Sequence, residues 1–144
     1  MHKKLLMTAY FVIAALLQTL AGNFPLSFFA FPLNVIVAVI WIYSLWRLYK
    51  EGNKLPLTRF LLSSRTSVLS ILLLIGGSLV IGLFPQLSEA EADSIPGGVA
   101  SLGCYNFMIS WIFIAILFLL LSNLAMVIIH AFYHCVPAKK RFIL

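Results

Sequence analysis

Four apolar runs, at residues 5–21, 31–48, 66–84 and 107–132, each have the length an α-helix needs to cross a bilayer. The cations are distributed around them with one rule. All ten Lys and Arg lie before the first run, from the end of the second run to the start of the third, or after the fourth. The two remaining connections carry none. Lys and Arg are retained on the cytoplasmic side of a membrane. The alternation therefore predicts an all-α membrane protein of four transmembrane helices, with its N-terminus and C-terminus both cytoplasmic. The location expected is the inner (cytoplasmic) membrane, multi-pass.

Composition supports this and excludes its rivals. The chain is 62% hydrophobic and 10% charged, whereas a water-soluble domain carries about 25% charge. Its 144 residues leave no room for a sizeable extramembrane domain, so residues 1–144 read as a single transmembrane unit. The net charge of +6 does not point to nucleic acid. The cations flank apolar runs and do not form a basic module interleaved with exposed aromatics.

Local signals refine the outline. His2, Lys3 and Lys4 precede the first run, and Thr19-Leu20-Ala21 before Gly22 also fits a secretory cleavage site. Gln18 and the continuing apolar Phe24 to Phe31 favour a retained helix. Pro32 suits a helical first turn. Trp41, Tyr43, Trp46 and Arg47 suit a headgroup layer. Lys50 to Arg65, with Gly52 and Pro56, reads as a polar connector whose Leu61 and Leu62 lie along the interface. Ser63 and Ser64 are capping residues for the third run, which Pro85 closes. The extracytoplasmic loop 85–106 holds Glu89, Glu91, Asp93, Pro96, Gly97 and Gly98. The end at Leu144, soon after Lys139, Lys140 and Arg141, leaves open that the chain is part of something longer.

Polar residues within the runs are scarce: Gln18, Asn34, Asn123, His130 and several Ser and Thr. No acid sits in any run, so there is no carboxylate pair for proton relay and no catalytic residue is assigned. Asn123 and His130 are seven residues apart and share a helix face, and His134 extends it by one turn. His130 and His134, spaced i and i+4, with Asn123 on the same face, are candidate ligands for a metal or haem iron. The competing reading has interfacial histidines snorkelling to headgroups. Cys104 and Cys135 flank opposite ends of the fourth run and cannot reach each other, because a disulfide tolerates a Cα separation of only about 7 Å. Without a C-x-x-C-H motif, covalent haem attachment has no site. Ser67, Ser70, Gly76, Gly77, Ser78 and Gly82 supply small side chains for helix packing, with Ser78 and Gly82 as a small-xxx-small pair.

The order of short motifs is informative. Arg59-Phe60-Leu61-Leu62-Ser63-Ser64 precedes a helix ending Gly82-Leu83-Phe84-Pro85-Gln86. Leu102-Gly103, Ser110-Trp111-Ile112-Phe113 and Leu121-Ser122-Asn123-Leu124 follow. This order resembles the start of the ResB family, the membrane subunit of system II cytochrome c biogenesis. The first half, with Leu16-Leu17-Gln18, Gly22 and Phe31-Pro32-Leu33-Asn34, is similar to the longer Bacteroidetes-type forms. The resemblance implies a part in delivering haem, not covalently held, across the membrane to apocytochrome c. The implied partner is a CcsA-type membrane protein or a fused second half, with no catalytic activity in this chain by itself. Ser110, Trp111, Phe113 and Asn123 map onto family positions of structural meaning, whereas no family motif falls on His130. The family's large extracytoplasmic domain and later helix are absent, as is the Trp-rich haem-handling motif. The alternatives are a non-enzymatic four-helix membrane scaffold or assembly subunit of another complex, and a small transporter or enzyme subunit. Neither an intramembrane acid nor an inverted repeat is present to favour transport.

Overall fold

The computed structural model describes residues 2–51, 55–88, 91 and 104–135. The order is α1 (His2–Ala21), a 3-10 turn (Leu26–Phe29), α2 (Leu33–Lys50), α3 (Pro56–Leu61), α4 (Ser64–Leu83), a 3-10 segment (Cys104–Ile109) and α5 (Trp111–Cys135). Four of these, α1, α2, α4 and α5, are long and apolar enough to cross a membrane. Glu89, Asp93, Pro96, Gly97, Gly98, Gly52, Lys54, Lys139, Lys140 and Arg141 lie outside the described residues.

The distribution of polarity is that of a lipid-solvated bundle. Leu20, Phe31, Val39, Ile40, Leu72 and Leu79 are exposed, while Gln18, Thr58, Thr66, Ser70, Ser110, Ser122 and Asn123 are buried. A water-soluble domain sorts its residues the other way. In hydrocarbon an unpaired polar group costs several kcal/mol, so the polar side chains turn inward to partners.

Helix α5 is the hub: α1, α2 and α4 pack on it and hardly touch one another. The contacts fix the directions. The Tyr10 hydroxyl donates to the Ala115 carbonyl at 2.8 Å and Gln18 meets the Trp111 backbone, so α1 runs antiparallel to α5. Ser67 meets Asn123 while Gly77 meets Phe113, so α4 does the same. Trp41 meets Ser122 and Trp46 meets Tyr133, so α2 runs parallel to it. The start of α1, the end of α2, α3, the start of α4 and the end of α5 thus share one end of the bundle. Every described cation belongs to these stretches, which makes this the basic end of the bundle.

Helix boundaries differ from the sequence reading for local reasons. Pro32 is the residue before α2, and its carbonyl accepts the Ile36 N–H at 3.3 Å. Ser63 precedes α4 but caps it through its carbonyl, which takes the Thr66 and Ser67 N–H groups; its hydroxyl makes no capping bond. Helix α5 starts at Trp111, later than the apolar run, because Ser110 caps it: the Ser110 hydroxyl accepts the Phe113 N–H at 3.2 Å. The connector before α4 is also more than a polar link. Pro56 opens α3, and Phe60 and Leu61 turn inward onto Leu45, Leu119 and Met126. Leu61 is therefore part of the core and does not lie along the surface.

Candidate functional site

The polar side chains that engage α5 fall into three groups along it, two of them centred on buried residues and the third nearer the surface. At the end opposite the cations, the Ser110-Trp111-Ile112-Phe113 stretch is a junction. The Ser110 hydroxyl donates to the Phe107 carbonyl at 2.8 Å while accepting from Phe113. Gln18, reaching from α1, accepts the Trp111 N–H at 2.8 Å through its side-chain carbonyl and donates to Asn23 at 3.3 Å. Gln86 accepts the Phe107 N–H at 3.1 Å and donates to the Phe84 and Cys104 carbonyls. The first N–H groups of a helix have no partner within it. Gln18 of α1 supplies such a partner at Trp111, and Gln86, just beyond the end of α4, supplies one to Phe107 in the preceding 3-10 segment. The Trp111 ring meets Phe24 edge-on at 4.8 Å, and Phe113 lies against Phe107 at 5.5 Å, over Gly77. Ser110, Trp111 and Phe113 thus each have a structural task at this junction.

The middle group centres on Asn123, which is 3% exposed. Its side-chain carbonyl accepts the Ser67 hydroxyl at 2.8 Å, and its amide donates to the Leu61 carbonyl. Leu61 ends α3, so its carbonyl is one of those a helix terminus leaves unpaired. The neighbouring Phe60 carbonyl takes the Thr66 hydroxyl at 2.6 Å. Asn123 and Thr66 together satisfy the bend between α3 and α4. One position earlier on α5, Ser122 accepts the Trp41 indole N–H at 3.2 Å.

The third group, at the basic end, contains both remaining candidates. The His130 and His134 rings lie 4.3 Å apart, one helical turn along α5. The Tyr49 hydroxyl sits 3.1 Å from His130 Nδ1, and Tyr49 packs on Tyr133 at 5.2 Å. The Trp46 indole donates to the Tyr133 hydroxyl at 2.9 Å, and the Lys50 ammonium lies 3.9 Å over the Trp46 ring. Both histidines are exposed, with no hydrogen bond at His130 Nε2 among the described residues. Asn123 is not part of this cluster: two turns, about 10 Å of helix, separate it from His130, and both ends of its amide are taken. Among the described residues no three His, Cys, Asp or Glu side chains converge as a metal site.

Sequence reasoning singled out the two histidines, did not name Tyr49, and did not foresee the hydrogen bonds of Gln86 and Ser67, because the partners of all three lie on other elements. Pairing of Pro85 with Gln86 at a helix end is the signal that could have marked Gln86. Of the packing residues, Ser70 is fully buried and Gly77 faces Phe107 and Phe113 at 3.1 and 3.3 Å from where a Cβ would sit. Ser78 and Gly82 do not pack against another helix among the described residues. Ser78 is exposed and bonds back to the Leu74 carbonyl, and nothing lies within 4 Å of a Cβ at Gly82. They lie on the side of α4 turned away from α5. Cys135 ends α5 and Cys104 lies in the 3-10 segment before its start, so the 25 residues of α5, roughly 36 Å of helix, stand between them. Comparison of the chain with known family models, characterised proteins and solved structures finds no match.

Proposed function

We propose that this chain is a membrane component of cytochrome c biogenesis of the ResB type, handling haem on its way to apocytochrome c together with a CcsA-type partner. The orientation proposed places the basic end in the cytoplasm. The observation that carries the reading is the arrangement around His130. Tyr49 engages Nδ1, which sets the ring orientation and leaves Nε2 for an iron, with His134 one turn away. A hydrogen bond from one imidazole nitrogen that orients the other is the usual support of a metal-ligating histidine. Haem supplies an iron that takes neutral imidazole as an axial ligand. The chain's own contribution is to hold that imidazole at the edge of an apolar bundle, where an aromatic group such as Tyr133 lies alongside. The Ser110, Trp111 and Asn123 networks keep α5 in place while it presents the pair.

A second reading, a membrane scaffold without a bound group, draws on the buried polar residues: Gln18, Asn123 and Ser122 all serve internal bonds, and Ser78 and Gly82 are free to meet another helix. One experiment separates the two. The chain is co-expressed with its partner subunit, and haem absorbance is read on the purified complex. Haem handling predicts that His130→Ala lowers haem content more than His134→Ala, that added imidazole partly restores it, and that His2→Ala leaves it unchanged. Equal haem content in all variants assigns the chain to the scaffold class.

A further inference from the structure

The two histidines near the end of α5 have a geometry that bears on more than haem. His130 and His134 stand one turn apart on one face of the helix, both exposed, with ring centres 4.3 Å apart and planes inclined at 54°. Tyr49, on α2, orients the first of them: its hydroxyl lies 3.1 Å from His130 Nδ1. With the proton on Nδ1 the ring donates to the Tyr49 oxygen, and the lone pair of Nε2 is left free. Among the described residues His134 makes no hydrogen bond that would occupy its own ring nitrogens.

The spacing decides what such a pair can hold together. A metal-bound imidazole has its nitrogen about 2.1 Å from the metal and its ring centre about 3.2 Å from it. Two imidazoles on opposite sides of one ion therefore have ring centres about 6.4 Å apart, whereas two at a right angle have them about 4.5 Å apart. At 4.3 Å the pair matches the second arrangement and is too close for the first. The two rings as placed do not sandwich a haem plane, but they can bind side by side to one small ion. Right-angled nitrogen donors suit tetragonal copper(II) or nickel(II), and copper(II) is bound most tightly of the divalent first-row ions. Among the described residues no third His, Cys, Asp or Glu side chain joins the pair, so water completes the coordination.

We propose that His130 and His134 form a two-imidazole chelate for copper(II) at the basic end of the bundle, with Tyr49 orienting the first ligand. The chelate goes beyond the haem reading and does not rest on it, because it needs both histidines and no tetrapyrrole. The chain has three histidines, and His2, beside the terminal amine, is a competing copper site. The untagged chain is therefore prepared as His2→Gln/Cys104→Ser/Cys135→Ser, which also removes the thiols that copper(II) oxidises. It is titrated with copper(II) in phosphatidylcholine nanodiscs without haem. The expected result is one copper per chain, with the nitrogen hyperfine pattern of two imidazoles in the electron paramagnetic resonance spectrum. In this background His130→Ala and His134→Ala should each weaken binding by more than about ten-fold and leave a one-imidazole pattern, and Tyr49→Phe should weaken it by about ten-fold while keeping two. Both histidines are exposed, so the alanine variants should unfold in SDS as the background does. A one-imidazole pattern before either substitution, or an affinity indifferent to His134→Ala, would overturn the chelate and leave an adventitious ion only. Haem binding indifferent to His130→Ala, with the copper chelate intact, would defeat the haem reading alone; the converse would defeat the chelate alone.

Discussion

Three glycines on one helix allow the packing of α4 to be tested against itself. A Cβ at Gly77 would lie 3.1 Å from Phe107 Cε1 and 3.3 Å from Phe113 Cδ2, whereas one at Gly76 or Gly82 would meet nothing within 4 Å among the described residues. The two phenyl rings pack on each other, tilted, with centroids 5.5 Å apart, so each limits how far the other can swing aside. Gly77→Ala asks them to give by a few tenths of an ångström. Gly77→Leu asks for several more heavy atoms of room in a packed site, an overpacking that costs about 1–3 kcal/mol. Glycine's low helix propensity does not offset this, because a membrane chain that loses tertiary contacts stays helical in the lipid phase and both states share the backbone term. Gly76→Leu and Gly82→Leu should therefore be close to neutral in the isolated chain. The assay is unfolding of purified protein in mixed micelles by increasing SDS fraction, followed by tryptophan fluorescence. The expected order is wild type, Gly76→Leu and Gly82→Leu together, then Gly77→Ala, then Gly77→Leu. Equal losses at all three glycines, or no loss at Gly77, would refute the assignment of this close approach.

Other outcomes follow from the same contacts. Asn123→Leu leaves the buried Leu61 carbonyl without a donor and removes the Ser67 bond; it should cost about 2–3 kcal/mol in the SDS assay. Ser67→Ala, which removes one interhelical bond, should cost about 0.6 kcal/mol; equal costs would show that Leu61 finds another partner. Partial burial pushes the Cys104 thiol above its ordinary pKa, so less of it is thiolate at a given pH. With Cys135→Ser present, iodoacetamide should label native protein at a pH profile displaced upward from that of SDS-unfolded protein, and coincident profiles would contradict this. Topology reporters fused after Lys54 and after Leu144 should read cytoplasmic, and one within 89–96 should read outside; an outside reading at Lys54 would defeat the proposed orientation.

How much was legible in the sequence depended on whether a signal was local. The four spans rest on runs of apolar residues, and the sharing of one end by the described cations follows from their alternation. Both could be read from neighbours in the chain. Ser110 was legible as a residue but not as a cap, because the apolar run continues through Phe107 and Met108 and hides the point where the helix begins. The inward turn of Phe60 and Leu61 was hidden by Arg59 and Arg65, whose charge marks the stretch as a connector while its apolar side packs on α5. Asn123 stood out as a polar residue in a membrane run. Its partner, a backbone carbonyl 62 positions away in the chain, carries no signature in any side chain. The small residues of α4 show the same limit: composition groups Gly77 with Gly82, and the direction each faces depends on where α5 lies.

The central claim is that the histidine pair at the basic end takes an iron-bearing tetrapyrrole, and equilibrium titration of ferric haem into the purified chain in nanodiscs tests it most directly. The account predicts saturable binding at one haem per chain, with a Soret band displaced to that of imidazole-ligated haem. It predicts that the displacement is lost in His130→Ala and that Tyr49→Phe weakens binding without changing the ligand type. A Soret band and affinity indifferent to both His130→Ala and His134→Ala would contradict it.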